Sequence, residues 1–332
     1  MTATSPLSPE TGLVKVPEPE SQGIGGSHQR AFRRCVVIVN QAAGGVTAAS
    51  EEINNLEQRL QCAHWKAQVH LVPPEEIERI VRLQLAEEPT LVVVGGGDGT
   101  VRSVAALLAG SHHGLGILPV GTMNRFARTL GIPPTIEEAA QVLVGGHDAE
   151  VDLGEVNGHV FLNNCQLGLY PELARIRERR RVRHRHWPKF LRWIVDTVAA
   201  LVIALRSWRL IHLRVTTEGR RVHYKVPAVL IANNGPSVKR DVTQGMLAVY
   251  IPQVSGPLSL AAVTLRATLL SSDPPEPLEV LRVQEIRLDV PARTPVAVDG
   301  EVIRMRSPLV LRNRAGACRV RVPTPPPSLG SE

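Results

Sequence analysis

Aromatic residues are scarce in this chain: four Trp, three Tyr and four Phe among 332 residues. With so few stacking side chains and no recognised nucleic-acid module, the net charge of +7 does not read as nucleic-acid binding. Cysteine is almost as rare. Cys35, Cys62, Cys165 and Cys318 show no C-x-x-C spacing, and the histidines form no zinc pattern with them. Cys35 and Cys165 lie in apolar runs and read as packing thiols, so a reducing cytosol is the simplest compartment. No apolar run reaches the roughly 20 residues that a membrane-spanning helix needs. Residues 1–30 are rich in Pro, Ser, Gly and Glu and lack an apolar core. They read as a disordered tail rather than a signal peptide or anchor, as do residues 321–332. No internal repeat is found.

Glycine, by contrast, is concentrated. In VVVGGGDGT, Val92 to Thr100, a β-branched strand runs into four glycines and an aspartate, then into the helical sequence VRSVAALLAG. Neither G-x-x-x-x-G-K-[ST] nor G-x-G-x-x-G is present, so the two commonest phosphate loops are excluded. Gly95, Gly96, Gly97 and Gly99 are expected to turn backbone N–H groups toward an anion through conformations barred to other residues. A helix starting near Thr100 adds its positive end. Asp98 suits an anion that arrives with Mg²⁺, which prefers carboxylate beside phosphate oxygens. The residues alone also allow a plain glycine-rich corner with Asp98 as a helix cap.

Two similar junctions accompany it. CVVIVNQAAGG, Cys35 to Gly45, and LGILPVGTMNRFARTLGIP, Leu115 to Pro133, each place a short strand before a glycine turn. Parallel strands deliver such turns to one edge, so Asn40, Gly121 and Thr122 join the candidate nucleotide site. Strands expected at 35–39, 68–72, 91–94 and 115–119 alternate with helical stretches at 47–62, 74–87, 100–109 and 122–143. This predicts a doubly wound parallel sheet over residues 31–150. Residues 151–320 carry short alternating runs bounded by Gly, Pro and Asn, as an antiparallel β-sandwich does, with a helical insert at 170–206 and another helical stretch around 256–270.

GGGDGT, then P-x-G-T-x-N-x-[FL]-A-R, then a C-terminal D-G-E resemble the diacylglycerol kinase catalytic family, which includes bacterial lipid kinases and the sphingosine and ceramide kinases. The resemblance spans roughly residues 33–317. It implies a NAD kinase/diacylglycerol kinase-like α/β domain plus a β-sandwich, with ATP and Mg²⁺ as cofactors and a lipid alcohol such as diacylglycerol as acceptor. It also implies that Asp299, in VAVDGEV, is the catalytic base, and that Asp98 and Asp152 lie near the metal. From spacing alone Asp299-Gly300 reads first as a hairpin turn, Asp98 is a rival base and Asp152 a structural strand aspartate.

The chain departs from the family pattern at several points. Gln41 stands where relatives have proline, Arg125 follows the asparagine of the G-T-x-N loop, and Arg102 and Ser103 stand where asparagine and glutamate are frequent. Gln244 occupies the aspartate position of a structural Mg²⁺ corner, which predicts a weak or missing site unless Asp241 substitutes.

The positive charge is local. Arg175 to Arg192 holds nine Lys and Arg against one Glu, a net +8 that exceeds the chain's +7. With Trp187, Trp193 and Trp208 around an apolar stretch of about a dozen residues, this insert reads as an interfacial helix docking on anionic lipid. Such docking places the protein in the cytoplasm, peripheral to the inner face of the membrane. A kinase of a soluble alcohol or nucleotide, or a nucleotide-binding lipid sensor without turnover, remain alternatives. Oligomeric state is not legible.

Overall fold

The inner strands of the first half, Arg34–Asn40, Leu91–Gly95 and Gly114–Leu118, are short, apolar and enclosed on both faces, which is why each reads as a near-continuous apolar run. The computed structural model describes residues 34–46, 50–169, 171, 210–217, 220–233, 245–254, 256, 258–259 and 278–324. In chain order the first half runs β1 (Arg34–Asn40), α1 (Ser50–Cys62), β2 (Lys66–Val72), α2 (Pro74–Leu85), β3 (Leu91–Gly95), α3 (Asp98–Leu108) and β4 (Gly114–Leu118). After these come α4 (Arg125–Thr129) and α5 (Ile136–Gly145). The parallel strands lie in the order β2-β1-β3-β4. Helices α1 and α5 pack together, as do α2 and α3. That is the doubly wound arrangement expected. Chain direction across the sheet reverses between β1 and β3, so the crevice outside their carboxyl ends is the topological switch point. Val92, Val93 and Val94 are fully buried there, each contributing on the order of 1.5–3 kcal/mol.

The single helix expected over 122–143 is two. Gly131, at φ +72°, and the Pro133–Pro134 pair separate α4 from α5. Thr135 then restarts the helix as its N-cap: its hydroxyl accepts from Glu138 N and donates to the Glu138 carboxylate.

The second half runs β5 (His147–Val156), β6 (His159–Phe161), β7 (Asn164–Gly168), β8 (Ile211–Thr217), β9 (Arg220–Val226), β10 (Ala228–Ala232) and β11 (Leu247–Pro252). It ends with β12 (Leu278–Val283), β13 (Glu285–Asp289), β14 (Thr294–Val298), β15 (Glu301–Met305) and β16 (Leu309–Val322). Six of these form one antiparallel sheet, β12-β11-β10-β7-β14-β15. It packs over β6, β8, β13 and the first half of β16 around a shared core that includes Phe161, Leu167, Leu213, Ile231, Leu288 and Leu311. This is the expected sandwich.

Its second sheet is not separate from the first half. β16 pairs antiparallel with β5 and, beyond a bulge between Arg314 and Cys318, runs parallel to β4. Leu309 and Leu311 enter the sandwich core, whereas Cys318, Val320 and Val322 enter the α/β core. Arg321 and Val322, expected in a tail, are therefore strand residues that close the first sheet. The basic run Arg175–Arg192, the three tryptophans Trp187, Trp193 and Trp208, Asp241 and Gln244 all lie outside the described residues. Among the described residues no helix is long and apolar enough to cross a membrane.

Candidate active site

The loops after β1, β3 and β4 meet at the switch point. Asn40 Nδ2 donates to Thr100 Oγ1 at 3.1 Å, and Asn40 Oδ1 accepts from Ala42 N at 2.9 Å. Thr100 Oγ1 is thus an acceptor toward Asn40, which leaves its hydroxyl proton to point elsewhere. Gly45 N bonds Val120 O at 2.9 Å, joining the first loop to the third. The second and third loops touch at glycines: a Cβ on Gly121 would stand 2.3 Å from Gly97 Cα.

The expected reason for these glycines is corrected. None of Gly95, Gly96, Gly97 and Gly99 has positive φ, and Gly97 is extended at φ −88°. Gly95 and Gly96 are needed for space: a Cβ would meet the Val39 side chain at 3.0 Å and the Thr100 side chain at 2.6 Å, respectively. Beside Gly99, by contrast, no atom lies within 4 Å of where a Cβ would stand. Open room therefore faces the first turn of α3. That helix starts at Asp98, two residues before the expected Thr100, and Val101 N donating to Gly97 O is its first helical bond. The N–H groups of Asp98, Gly99 and Thr100 precede the helical ladder and form a ready anion cradle.

Asp98 Oδ1 accepts from Phe126 N at 3.1 Å, tying α3 to the first turn of α4. Asn124 holds the intervening loop in a left-handed conformation, φ +46°, its amide donating to Pro119 O and Gly121 O at 2.7 and 2.9 Å. Arg125 is exposed at the start of α4.

Asp299 stands on the β14–β15 hairpin, with φ +48° followed by Gly300 at φ +95°. Two successive positive φ values make a two-residue type I′ turn, for which Asp-Gly is a preferred pair. The turn reading and the functional reading hold together. Its carboxylate reaches across to the break between β6 and β7. Oδ2 accepts from Leu162 N at 2.7 Å, and Oδ1 from Asn163 N and Asn164 N at 2.8 and 3.0 Å. Each carboxylate oxygen has two lone-pair sites, so Oδ1 is filled and Oδ2 keeps one free. Burial raises this carboxyl above its ordinary 3.8, opposed by the N–H bonds from Leu162, Asn164 and Asn163 and by the Arg102 cation.

Arg102, whose place after the glycine loop suits reaching phosphate or facing solvent, turns instead to the β14–β15 hairpin. Its Nη1 donates to Val298 O at 2.9 Å and its Nη2 to the Glu301 carboxylate. Sequence reasoning missed the backbone donors at 162–164 as well, because main-chain N–H groups carry no residue signature.

Asp152 is 1 % exposed and already committed. Oδ1 accepts from Gly316 N at 2.8 Å, and Oδ2 from Gly245 N at 2.7 Å and Asn313 Nδ2 at 3.3 Å. It pins β5 to the β16 bulge and to the residues before β11. These bonds give it a structural role, while Oδ1, with a single donor, keeps one lone-pair site for the neighbourhood of a metal that the resemblance implies. Among the described residues no group of three His, Cys, Asp or Glu is gathered that could hold a metal. Cys165, buried next to this turn, has its thiol pushed up by burial and by the Asp299 charge, and Cys35 and Cys318 are pushed up to about 12 by burial. They are inert packing thiols.

A doubly wound α/β domain with an anion cradle at its switch point, facing a β-sandwich that presents a carboxylate, is an architecture suited to phosphoryl transfer. Residues 34–156 match the family model of the diacylglycerol kinase catalytic domain. The chain is 43% identical over 147 residues to the diacylglycerol kinase of Bacillus subtilis (strain 168), covering 43% of this chain and 48% of that protein. It is 39% identical over 134 residues to a "Probable lipid kinase YegS-like" of Pseudomonas fluorescens (strain Pf-5), covering 40% of this chain and 43% of that protein. The matches thus span less than half of these relatives. A crystal structure of a diacylglycerol kinase from Bacillus anthracis str. Sterne superposes with a TM-score of 0.67 at 20% identity, covering 90% of this chain and 99% of that one. That likeness establishes the shared fold, sandwich included.

Proposed function

We propose that this chain is an ATP- and Mg²⁺-dependent lipid kinase that transfers the γ-phosphoryl group to the hydroxyl of diacylglycerol or a related lipid alcohol. The observation that carries this reading is the Asp299 carboxylate. It is fixed by three N–H donors with one lone pair left on Oδ2, on a hairpin bonded directly to the helix whose first amides form the anion cradle. An alcohol is a poor nucleophile at neutral pH, and a positioned carboxylate that takes its proton contributes about 10²–10⁴ in rate.

The cradle fits a triphosphate: three free amides, the Thr100 hydroxyl set by Asn40, and open room beside Gly99. Bound ATP would supply the phosphoryl group, and Mg²⁺ the neutralisation of its charge. Asp98 is the one carboxylate on α3's first turn and keeps Oδ2 for the metal side, with Oδ1 held by Phe126 N. Asp299 then accepts the lipid hydroxyl proton at Oδ2. Gly121 and Thr122 complete the loop edge.

The test is label transfer from [γ-³²P]ATP with Mg²⁺ to diacylglycerol, monoacylglycerol, sphingosine, ceramide and phosphatidylglycerol in mixed micelles. Label in one lipid is the expected result. Label only in soluble alcohols would replace the lipid reading, and ATP binding without transfer to any acceptor would make the chain a sensor.

Residues 175–192 serve, on this reading, as the contact with an anionic inner leaflet, each cation near the surface contributing about 1 kcal/mol. Neutralising Arg179, Arg180, Arg181 and Arg183 is expected to weaken cosedimentation with anionic vesicles and to flatten its salt dependence. Unaltered vesicle binding would remove this segment from docking.

A further inference from the structure

We propose that Arg102 is a positioning residue for the transfer, bracketing the Asp299 turn so that the base and the anion cradle move as one unit. The proposal rests on the kinase reading above. Arg102 is one turn into α3, just beyond Asp98, Gly99 and Thr100. Its two terminal nitrogens reach Val298 O and the Glu301 carboxylate, the residues on either side of the Asp299–Gly300 turn. Val298 and Glu301 are also the last cross-strand pair of β14 and β15, so one guanidinium holds both ends of a single turn.

No other hydrogen bond joins α3 to this hairpin among the described residues. The hairpin tip is also held by the N–H groups of Leu162, Asn163 and Asn164, and Leu162 packs in the α/β core that contains α3, a non-directional contact. Arg102 adds the directional link, by hydrogen bond, from α3 to the turn itself. A shorter side chain at 102 could not bracket both ends.

The interaction has two parts of unequal worth. The Glu301 side chain is 63 % exposed and that of Arg102 only 15 %, so the ion pair is screened on one side. The bond to the Val298 carbonyl is directional and partly buried, and it sets the distance from helix to turn. Arg102 also places a cation close enough to favour the ionised form of Asp299. Lysine would keep that charge but lose the planar fork.

The test compares full-length wild type, Arg102→Met and Arg102→Lys by label transfer across pH, by thermal melting, and by titrating the Asp299 carboxyl carbon in NMR. Arg102→Met is expected to lower kcat by about 10- to 100-fold with little change in the KM for ATP. Its acid limb, and the Asp299 NMR titration, should both move to higher pH. Arg102→Lys should restore the titration but not kcat. A lower melting temperature with unchanged titration and kcat would make Arg102 merely structural and overturn the proposal. An unmoved NMR titration in Arg102→Met overturns it even if wild type transfers no label, an outcome that separately counts against the kinase reading.

Discussion

Asp299→Ala is expected to lower kcat by at least about 100-fold while leaving nucleotide affinity close to wild type. The split follows from geometry: the carboxylate belongs to the β14–β15 turn, whereas the cradle belongs to α3 and its neighbouring loops. Alanine also orphans the N–H groups of Leu162, Asn163 and Asn164, each costing about 1–3 kcal/mol if it stays buried. Asparagine is not a neutral replacement. Its carbonyl can serve Asn163 and Asn164, but its NH₂ then faces the Leu162 N–H, donor against donor. Melting and ATP binding must therefore be measured beside turnover. A variant that binds ATP, remains folded and turns over normally would remove Asp299 from the chemistry.

The raised carboxyl of Asp299 fixes the sign of the pH dependence. The base works ionised, so activity should fall on acidification through an apparent pKa above the ordinary 3.8. Stability runs the other way for this group. The folded state holds the proton more tightly than the unfolded chain, so this contribution is present at low pH and lost as pH rises through the folded pKa.

Much of the nucleotide half could be read from residues because its signals are local. A β-branched run buried on both faces, a glycine cluster and a helical period announce β3, the loop and α3 without reference to anything distant. The Asp-Gly pair at 299–300 announced its turn in the same way. What escaped was made by chain segments far apart in sequence. Arg102 meets residues almost two hundred positions away, and the grip on Asp299 comes from main-chain groups at 162–164. HVFLNNCQ reads as one strand, but in the fold it breaks after Phe161 so that those N–H groups can turn to the carboxylate. β16 was legible only as PLVLR; its second half passes a bulge at Gly316, φ +57°, before pairing with β4. A glycine inside an Arg-rich stretch hides strand periodicity. The strand RRVHYKV was missed for a related reason: its Arg, His and Lys residues mask an inner pair, Tyr224 and Val226, and Val222 in the same row is itself exposed.

The largest expected loss of stability comes from that same overlooked end of β16. Arg321 is 8 % exposed and Asp148, its cross-strand partner on β5, 9 %. Nη1 donates to Asp148 Oδ1 at 3.0 Å, while Nε and Nη2 donate to Leu143 O and Val144 O at 3.1 and 3.4 Å. Those carbonyls belong to the last turn of α5, where the helix leaves acceptors unpaired and favours a cation. The guanidinium also lies 5.6 Å from the centroid of Trp65, at the turn into β2. One side chain therefore binds β16, β5, α5 and the α1–β2 corner together. Arg321→Met should destabilise the fold by about 3–5 kcal/mol, mostly because Asp148 is left as a buried charge without its partner. Adding Asp148→Asn removes that charge, so the double variant should be more stable than Arg321→Met alone. Denaturant midpoints for the two single variants and the double variant, at matched m-values, decide it. A loss in Arg321→Met within about 0.5 kcal/mol of wild type would show that the pair is dispensable. Additive losses would assign the cost to the α5 carbonyls rather than to Asp148.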